Sequence, residues 1–303
     1  MNIVDRIQEL KGEKDISILA HNYQPPAVQD IADFLGDSLD LCYRAQELEE
    51  TTILFAGVRF MAESALILNP EKTVLLPDMD AYCPMASMLT PDILDEKKRK
   101  HPDAAVVLYG NTTARAKARA DVICTSANAA HIVNSLDEDV VLFGPDKNLR
   151  YWTQKQTDKT LIPVPDHGYC YVHNSLIRPE DILYLRDRYP RAEVLVHPEC
   201  VPQVQEVADH VLSTNGMLAH ARRTSADEFI IGTEKELCYR LRKELPNKRF
   251  YEIETAVCRD MKRVTLQKIC HAMEHEESKI SLPHDVLESA REPLERMLSL
   301  GRG

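Results

Sequence analysis

The sequence predicts an α/β protein of three pseudo-symmetric, three-layer α/β/α domains with parallel sheets, set around a central site. Three observations predict it. Landmarks in the 303-residue chain repeat at a stride of about 88 residues. Short β-branched apolar runs alternate with amphipathic helical stretches, the pattern of a parallel sheet covered by helices. A cysteine follows the fourth apolar run of every repeat, at Cys83, Cys170 and Cys258.

The elements follow in order. A first apolar run ends in an aromatic ring and a polar group three times, in ISILAHNYQ (His21, Tyr23), AAVVLYGNT (Tyr109, Asn111) and AEVLVHPEC (His197, Glu199). Each copy then reaches an Ala-Asp pair at 32–33, 120–121 and 208–209. A hydroxyl comes next, at Ser38, Ser126 or Thr214, always 17 residues after the histidine or tyrosine. A third run closes on Gly57, Gly144 or Gly232, and the fourth run (TVLLPD, TLIPVPD, RFYEIET) leads to the cysteine, 26 residues beyond the glycine. LDLCYRAQELEE, RFMAESALIL and EKELCYRLRKEL read as amphipathic helices between these runs. The repeats span 1–100 (with an N-terminal helix), 101–188 and 189–276, and 277–303 forms a C-terminal helical tail packed on the outside.

Bulk properties narrow the function. The composition, 44% hydrophobic and 28% charged, is that of a globular protein. A net charge of −11 without a Lys/Arg-rich block argues against nucleic acid and anionic membranes as partners. No apolar run reaches the roughly 18 residues of a membrane span. MNIVDRIQELKGEK mixes charged and apolar residues like a surface helix, unlike a signal peptide, so a cytoplasmic protein is expected. In a reducing cytosol, eight cysteines point to ligands or nucleophiles rather than disulfides.

In open α/β sheets functional groups collect at the carboxyl ends of the strands. Three units facing one axis would bring the three cysteines together. Three thiolates without a CxxC pair suit a soft metal or an iron–sulfur cluster. On a four-iron cluster, three ligands leave one iron free to act as a Lewis acid toward a hydroxyl or carbonyl, which suits dehydration. A structural zinc with three cysteines and a histidine, and a non-catalytic cluster used for sensing or electron transfer, are the competing readings.

Cys42, Cys124, Cys200, Cys238 and Cys270 lack the symmetry and read as packing residues, with Cys200 set apart by its place beside Glu199. The hydroxyls sit where a strand hands over to a helix, a place that favours carboxylate or phosphate and also ordinary N-capping. His21, Tyr23, Tyr109, Asn111, His173, His197 and Glu199 supply acids, bases and hydrogen-bond donors. His173 breaks the symmetry, since Ala86 and Met261 hold its matching places. Lys147 and Lys235 read as ion-paired surface or hinge residues.

HNYQPPAVQDIADFLGDSLDL, GVRFMAESALILNPEKTVLLPD, YCPMASM, VICTSANA, FGPDKNL, GYCYVH, VHPEC and the C-x-x-M of VCRDM closely resemble the quinolinate synthase family over residues 15–270. The resemblance implies three α/β/α domains around a [4Fe–4S] cluster held by Cys83, Cys170 and Cys258. It implies condensation of iminoaspartate with dihydroxyacetone phosphate to quinolinate, phosphate and water in NAD biosynthesis, with the free iron as Lewis acid. It implies His21, Ser38, Ser126, His197, Ser213 and Thr214 as contacts to substrate carboxylate or phosphate. Tyr23, Tyr109, Asn111, His173 and Glu199 would lie near the reacting carbons, and Glu199, with Tyr23 or His197, would move protons. It further implies a monomer or homodimer, and transient contact with the L-aspartate oxidase or aspartate dehydrogenase that supplies iminoaspartate. STNGM departs from the family's glycine pair by placing Asn215 first, where a left-handed turn is expected to survive.

Overall fold

In the computed structural model, which describes residues 2–301, twelve strands form three four-stranded sheets, every neighbouring pair parallel. The first sheet contains β1 (Ile16–His21), β2 (Phe34–Gly36), β3 (Thr52–Ala56) and β4 (Thr73–Leu75). The second contains β5 (Ala105–Tyr109), β6 (Val122–Cys124), β7 (Val140–Gly144) and β8 (Thr160–Pro163). The third contains β9 (Glu193–Val196), β10 (His210–Val211), β11 (Glu228–Gly232) and β12 (Arg249–Glu252). In all three the spatial order is second, first, third, fourth. That order reverses direction between the first and third strands, and the crevice beyond their carboxyl ends is where α/β sheets bind ligands.

β1, β3, β5 and β11 are buried at every position, which explains their unbroken apolar runs: helices cover both faces. The repeated Ala-Asp pair has a mechanical reason. Asp33, Asp121 and Asp209 each accept the backbone N–H of a residue in the first strand, from Ile18 (2.8 Å), Val106 (2.7 Å) and Val194 (2.8 Å). The backbone N–H of each aspartate donates in return to the carbonyl of that residue. One side chain thus fixes the register of the second strand against the first in every unit. The repeated glycine reflects close packing: a Cβ on Gly144 would lie 1.5 Å from the Val164 carbonyl oxygen, and one on Gly232 2.7 Å from Val196 Cγ1.

Some expectations change. RFMAESALIL forms the helix Arg59–Leu68, but it is buried from Phe60 to Leu68 and is not amphipathic, because it lies between the first two units. The helix Leu266–His275 falls within the third repeat by sequence, yet it packs on the N-terminal helix Ile3–Lys14 and on β3 of the first unit. The tail runs beside β4 as an isolated bridge between Leu75 and Lys279, then lays the helix His284–Leu300 across the first and second units. Among the described residues, no helix is long and apolar enough to cross a membrane.

The units interlock cyclically through positions 29, 117 and 205, another 88-residue stride. Gln29 Nε2 donates to the carbonyls of Asn22, Gln24 and, in the third unit, Glu236. Gln205 Nε2 does the same to Pro198, Cys200 and, in the second unit, Asn148. Lys117 takes the third place: its ammonium donates to the Thr112 carbonyl at 2.5 Å and lies 5.2 Å from the centre of the Phe60 ring in the first unit.

Lys117 is wholly buried, and burial lowers its pKa from 10.5 to about 8 despite the opposing pull of Glu63, Cys42 and Cys83. The folded pKa is depressed, so between pH 8 and 10.5 the unfolded chain binds the extra proton and stability should rise with pH. A depression of this size corresponds to a gain attributable to Lys117 of roughly 3 kcal/mol across that range. Lys117→Gln, which installs the residue of the other two interfaces, should remove that part of the rise and be at least as stable as wild type at pH 7. Denaturant unfolding of both proteins across this pH range measures the difference. The same rise in both would refute the depressed pKa of the buried Lys117.

Candidate active site

The carboxyl ends of the three sheets meet in a partly open cavity of about 770 Å³, part of which is continuous with solvent. The first unit lines it with His21, Tyr23, Ser38 and Cys83, the second with Tyr109, Asn111, Ser126, Cys170 and His173, and the third with His197, Glu199, Thr214 and Cys258. Ser213 is placed elsewhere: its hydroxyl caps the helix Thr214–Arg223 by accepting the Gly216 N–H at 3.1 Å, and it is not among the lining residues.

The hydroxyls occupy less uniform places than the stride suggests. Ser38 and Thr214 are the first residues of their helices, capped by Asp37 and Ser213. Ser126 lies in a turn, because the next helix starts only at Ala129. Asp37 takes the N–H groups of Leu39 and Asp40, so the hydroxyl of Ser38 rather than those two helix-start amides is offered to the cavity. Asn215, expected in a left-handed turn, is helical; its Oδ1 accepts from Asn22 (3.2 Å) and Arg240 (3.0 Å), joining the first and third units.

The three cysteines share one local design. Each precedes a short helical turn: Pro84–Met88, the π-helical Val172–Leu176 and the 3₁₀ Met261–Arg263. Each sulfur is faced by the backbone N–H of the residue three positions on, at Ala86, His173 and Met261. Burial pushes the thiols up, Cys83 to about 12, Cys258 to about 11 and Cys170 well above its usual value, with Cys258 adding to the shift of Cys83 and both adding to that of Cys170. Such thiols become thiolates only beside strong positive charge. Among the described residues, no group of ligand atoms within 4.8 Å of one another contains all three sulfurs. They are too widely spaced to converge on one ion and suit a larger, polynuclear group.

Two carboxylates position two of the three cysteines. The Cys170 N–H donates to Asp146 Oδ2 (3.0 Å), and the Cys258 N–H donates to Glu234 Oε1 (3.2 Å). Both carboxylates are buried, two residues past the landmark glycines and 88 residues apart; that repeated acidic position was the signal available in the sequence. The first unit has Arg59 at the matching place, two residues past Gly57, and no acid there. Glu234 also pairs with Lys262 at 2.7 Å. Tyr171 reaches from the second unit to accept the Arg259 N–H at 2.7 Å and to hydrogen-bond the Cys258 sulfur.

The acid–base groups form a connected set. Burial drives His21 and His197 down to about 3, so both rings are neutral. The N–H of Tyr23 donates to His21 Nδ1 (3.2 Å), and that of Glu199 donates to His197 Nδ1 (3.3 Å). Nδ1 is therefore the acceptor in both, and Nε2 carries the proton. His197 Nε2 donates to Ser126 Oγ at 3.1 Å.

His173 Nδ1 lies 2.7 Å from Glu199 Oε2 and 3.2 Å from the Cys170 sulfur. Its Nε2 lies 2.8 Å from the Thr233 hydroxyl, which lies 2.6 Å from the Tyr23 hydroxyl. With Nδ1–H given to Glu199, Nε2 accepts from Thr233, and Thr233 accepts from Tyr23. Thr233, absent from the sequence expectations, thus orders a chain from Tyr23 to Glu199 across all three units. Burial alone would raise Glu199, but His173, His197 and the Tyr109 hydroxyl outweigh it and bring the carboxyl to about 2. Burial and the Glu199 charge hold the hydroxyls of Tyr23 and Tyr109 protonated. Asn111 Oδ1 is buried with no partner among the described residues, an acceptor left for a ligand.

The remaining residues lie apart. Cys124 is buried in β6 and Cys238 in the helix Leu237–Glu244, while Cys200 is buried in the bend after β9 and gives its S–H to the Gly232 carbonyl at 3.4 Å. Cys42 and Cys270 are half-buried on helices. Lys235 pairs with Glu254 at 3.2 Å, as expected of it. Lys147 makes no ion pair among the described residues and instead lies 5.0 Å from the centre of the Tyr169 ring.

Residues 5–299 match the family model described as quinolinate synthetase A protein. The chain is 52% identical over 301 residues to the quinolinate synthase of Pyrococcus abyssi, covering 99% of this chain and 100% of that one. It is 50% identical over 293 residues to that of Methanothermobacter thermautotrophicus (96% of each chain), and 49% identical over 298 residues to that of Thermotoga maritima (98% and 99%). A match of this length and identity, over a chain whose three sheets converge on one cavity, means that the protein belongs to the quinolinate synthase family.

Proposed function

We propose that this chain condenses iminoaspartate with dihydroxyacetone phosphate to give quinolinate, phosphate and water in NAD biosynthesis, as a carbon–carbon bond-forming transferase and dehydratase. One observation carries the reading: three cysteines and a hydrogen-bonded acid–base set from three different units line the same cavity. Cys83, Cys170 and Cys258 would hold a [4Fe–4S] cluster. When bound, the cluster would supply one iron without a protein ligand as a Lewis acid for loss of water.

The chain's own groups divide the remaining work. The Nε2–H groups of His21 and His197 and the hydroxyls of Ser38, Ser126 and Thr214 are neutral donors for substrate carboxylate and phosphate oxygens. Neutral donors suit this cavity, because a cation would compete for Glu199. Asn111 Oδ1 accepts from a substrate N–H or O–H. Tyr23 and Tyr109 stay protonated and donate. Glu199, held near 2 chiefly by His173, is a fixed anion at rest and stands as the proton acceptor for the substrate. His173, whose Nδ1–H is given to Glu199, links that carboxylate to the hydroxyls of Thr233 and Tyr23, so a proton relayed along this line would run toward Glu199.

Anaerobic purification and reconstitution test the proposal. The expected outcome is a brown protein with about four irons per chain, forming quinolinate and phosphate from the two substrates. A colourless protein that binds zinc at the cysteines and forms no quinolinate would overturn it.

A further inference from the structure

At the opposite end of the third sheet lies a second group of ligands. Glu193 is the first residue of β9 and His210 the first of β10, so both stand at the amino ends of their strands, away from the cavity. His220 reaches them from the last turn of the helix Thr214–Arg223. One ligand atom from each of the three lies within 4.8 Å of the others. His220 Nε2 is 2.6 Å from Glu193 Oε2, and the two imidazoles lie with ring centres 4.1 Å apart. The Thr224 hydroxyl donates to the other oxygen, Glu193 Oε1, at 3.2 Å. That bond fixes the carboxylate and leaves Oε2 directed at the imidazoles, as outer hydrogen bonds orient ligands in metal centres. No protein group among the described residues hydrogen-bonds the ring of His210.

We propose that Glu193, His210 and His220 form a binding site for a borderline divalent transition metal, with Zn²⁺ as the representative ion. Two imidazoles and one carboxylate are a zinc donor set, and they disfavour Mg²⁺ and Ca²⁺, which require oxygen ligands. The half-exposed position leaves a coordination place for water. The site belongs to a single unit: two ligands start neighbouring strands and the third lies on the helix that covers them. Metal binding therefore ties the C-terminal end of that helix to the sheet. The N-terminal end of the same helix presents Thr214 to the cavity, so occupancy steadies the third unit without touching the reacting groups.

The test uses the cluster-loaded full chain under anaerobic conditions, titrated with Zn²⁺ by calorimetry and followed by thermal unfolding. Wild type should bind one more equivalent of Zn²⁺ than the double variant His210→Gln/His220→Gln, and its unfolding temperature should rise on binding while the variant's does not. Glu193→Gln, which keeps a group for Thr224 to bond, should weaken that site by about tenfold or more. Without added Zn²⁺ all three proteins should form quinolinate at the same rate. Equal uptake by wild type and variants would place the metal on the cysteines or elsewhere and overturn the proposal, as would saturation only at millimolar concentration. The readouts do not depend on the reaction catalysed, so the two proposals fail separately.

Discussion

Glu199→Gln is expected to keep the fold and the metal content while lowering the rate of quinolinate formation by roughly 10²–10⁴-fold, the range for loss of a positioned acid or base. The amide has nearly the shape of the carboxylate, so the packing against His173 and His197 survives. What it removes is the one buried anion on which His173, the Tyr109 hydroxyl and the chain through Thr233 all converge. Its NH₂ group would face donors rather than acceptors, and neither oxygen nor nitrogen could accept a proton from the substrate. Saturating anaerobic assays, with iron counted in the same samples, check this. Turnover within about threefold of wild type, a small fraction of the expected loss, would mean that Glu199 moves no proton.

Cys258→Ala should fold, lose iron and lose activity. The cradle that holds this residue does not depend on the sulfur: Glu234 accepts its backbone N–H, and Tyr171 accepts the N–H of the next residue. Removing the thiol takes away one of three ligands from a site with no fourth cysteine among its lining residues. The expected fall in activity exceeds the roughly 10²-fold attributed to outer-sphere changes around a metal. Cys238→Ala is the control. That residue is fully buried on the helix Leu237–Glu244, away from the cavity, so its loss costs packing and should leave the iron count at wild-type level. Full iron content in Cys258→Ala would show that the three sulfurs are not the ligand set.

Much of the architecture was legible because each unit repeats a local logic. A buried central strand, an aspartate that clamps the next strand to it, a glycine where backbones touch and a cysteine before a helical turn all leave marks at fixed spacing. Departures arose where neighbouring units press on the pattern. Arg59–Leu68 lost its expected polar face because the second unit and the tail cover it. Asn215 became helical because Asn22 and Arg240 bind its side chain. Ser213 was drawn into capping, and Leu266–His275 crossed to the first unit, because the N-terminal helix offered an apolar face there.

Within the site the same division holds. By itself, the sequence determined the three-unit topology, the identity of the cysteine triplet and the aromatic, imidazole and hydroxyl groups that end the strands, since all of these recur at one stride. Only the tertiary structure decided which of them touch. The chain from Tyr23 through Thr233 and His173 to Glu199 joins residues from three units, and its links span 210, 60 and 26 positions of sequence. No local preference encodes such contacts. They arise because three pseudo-equivalent sheets point their carboxyl ends at one axis, where burial keeps His21 and His197 neutral and the imidazole and hydroxyl neighbours of Glu199 keep it charged.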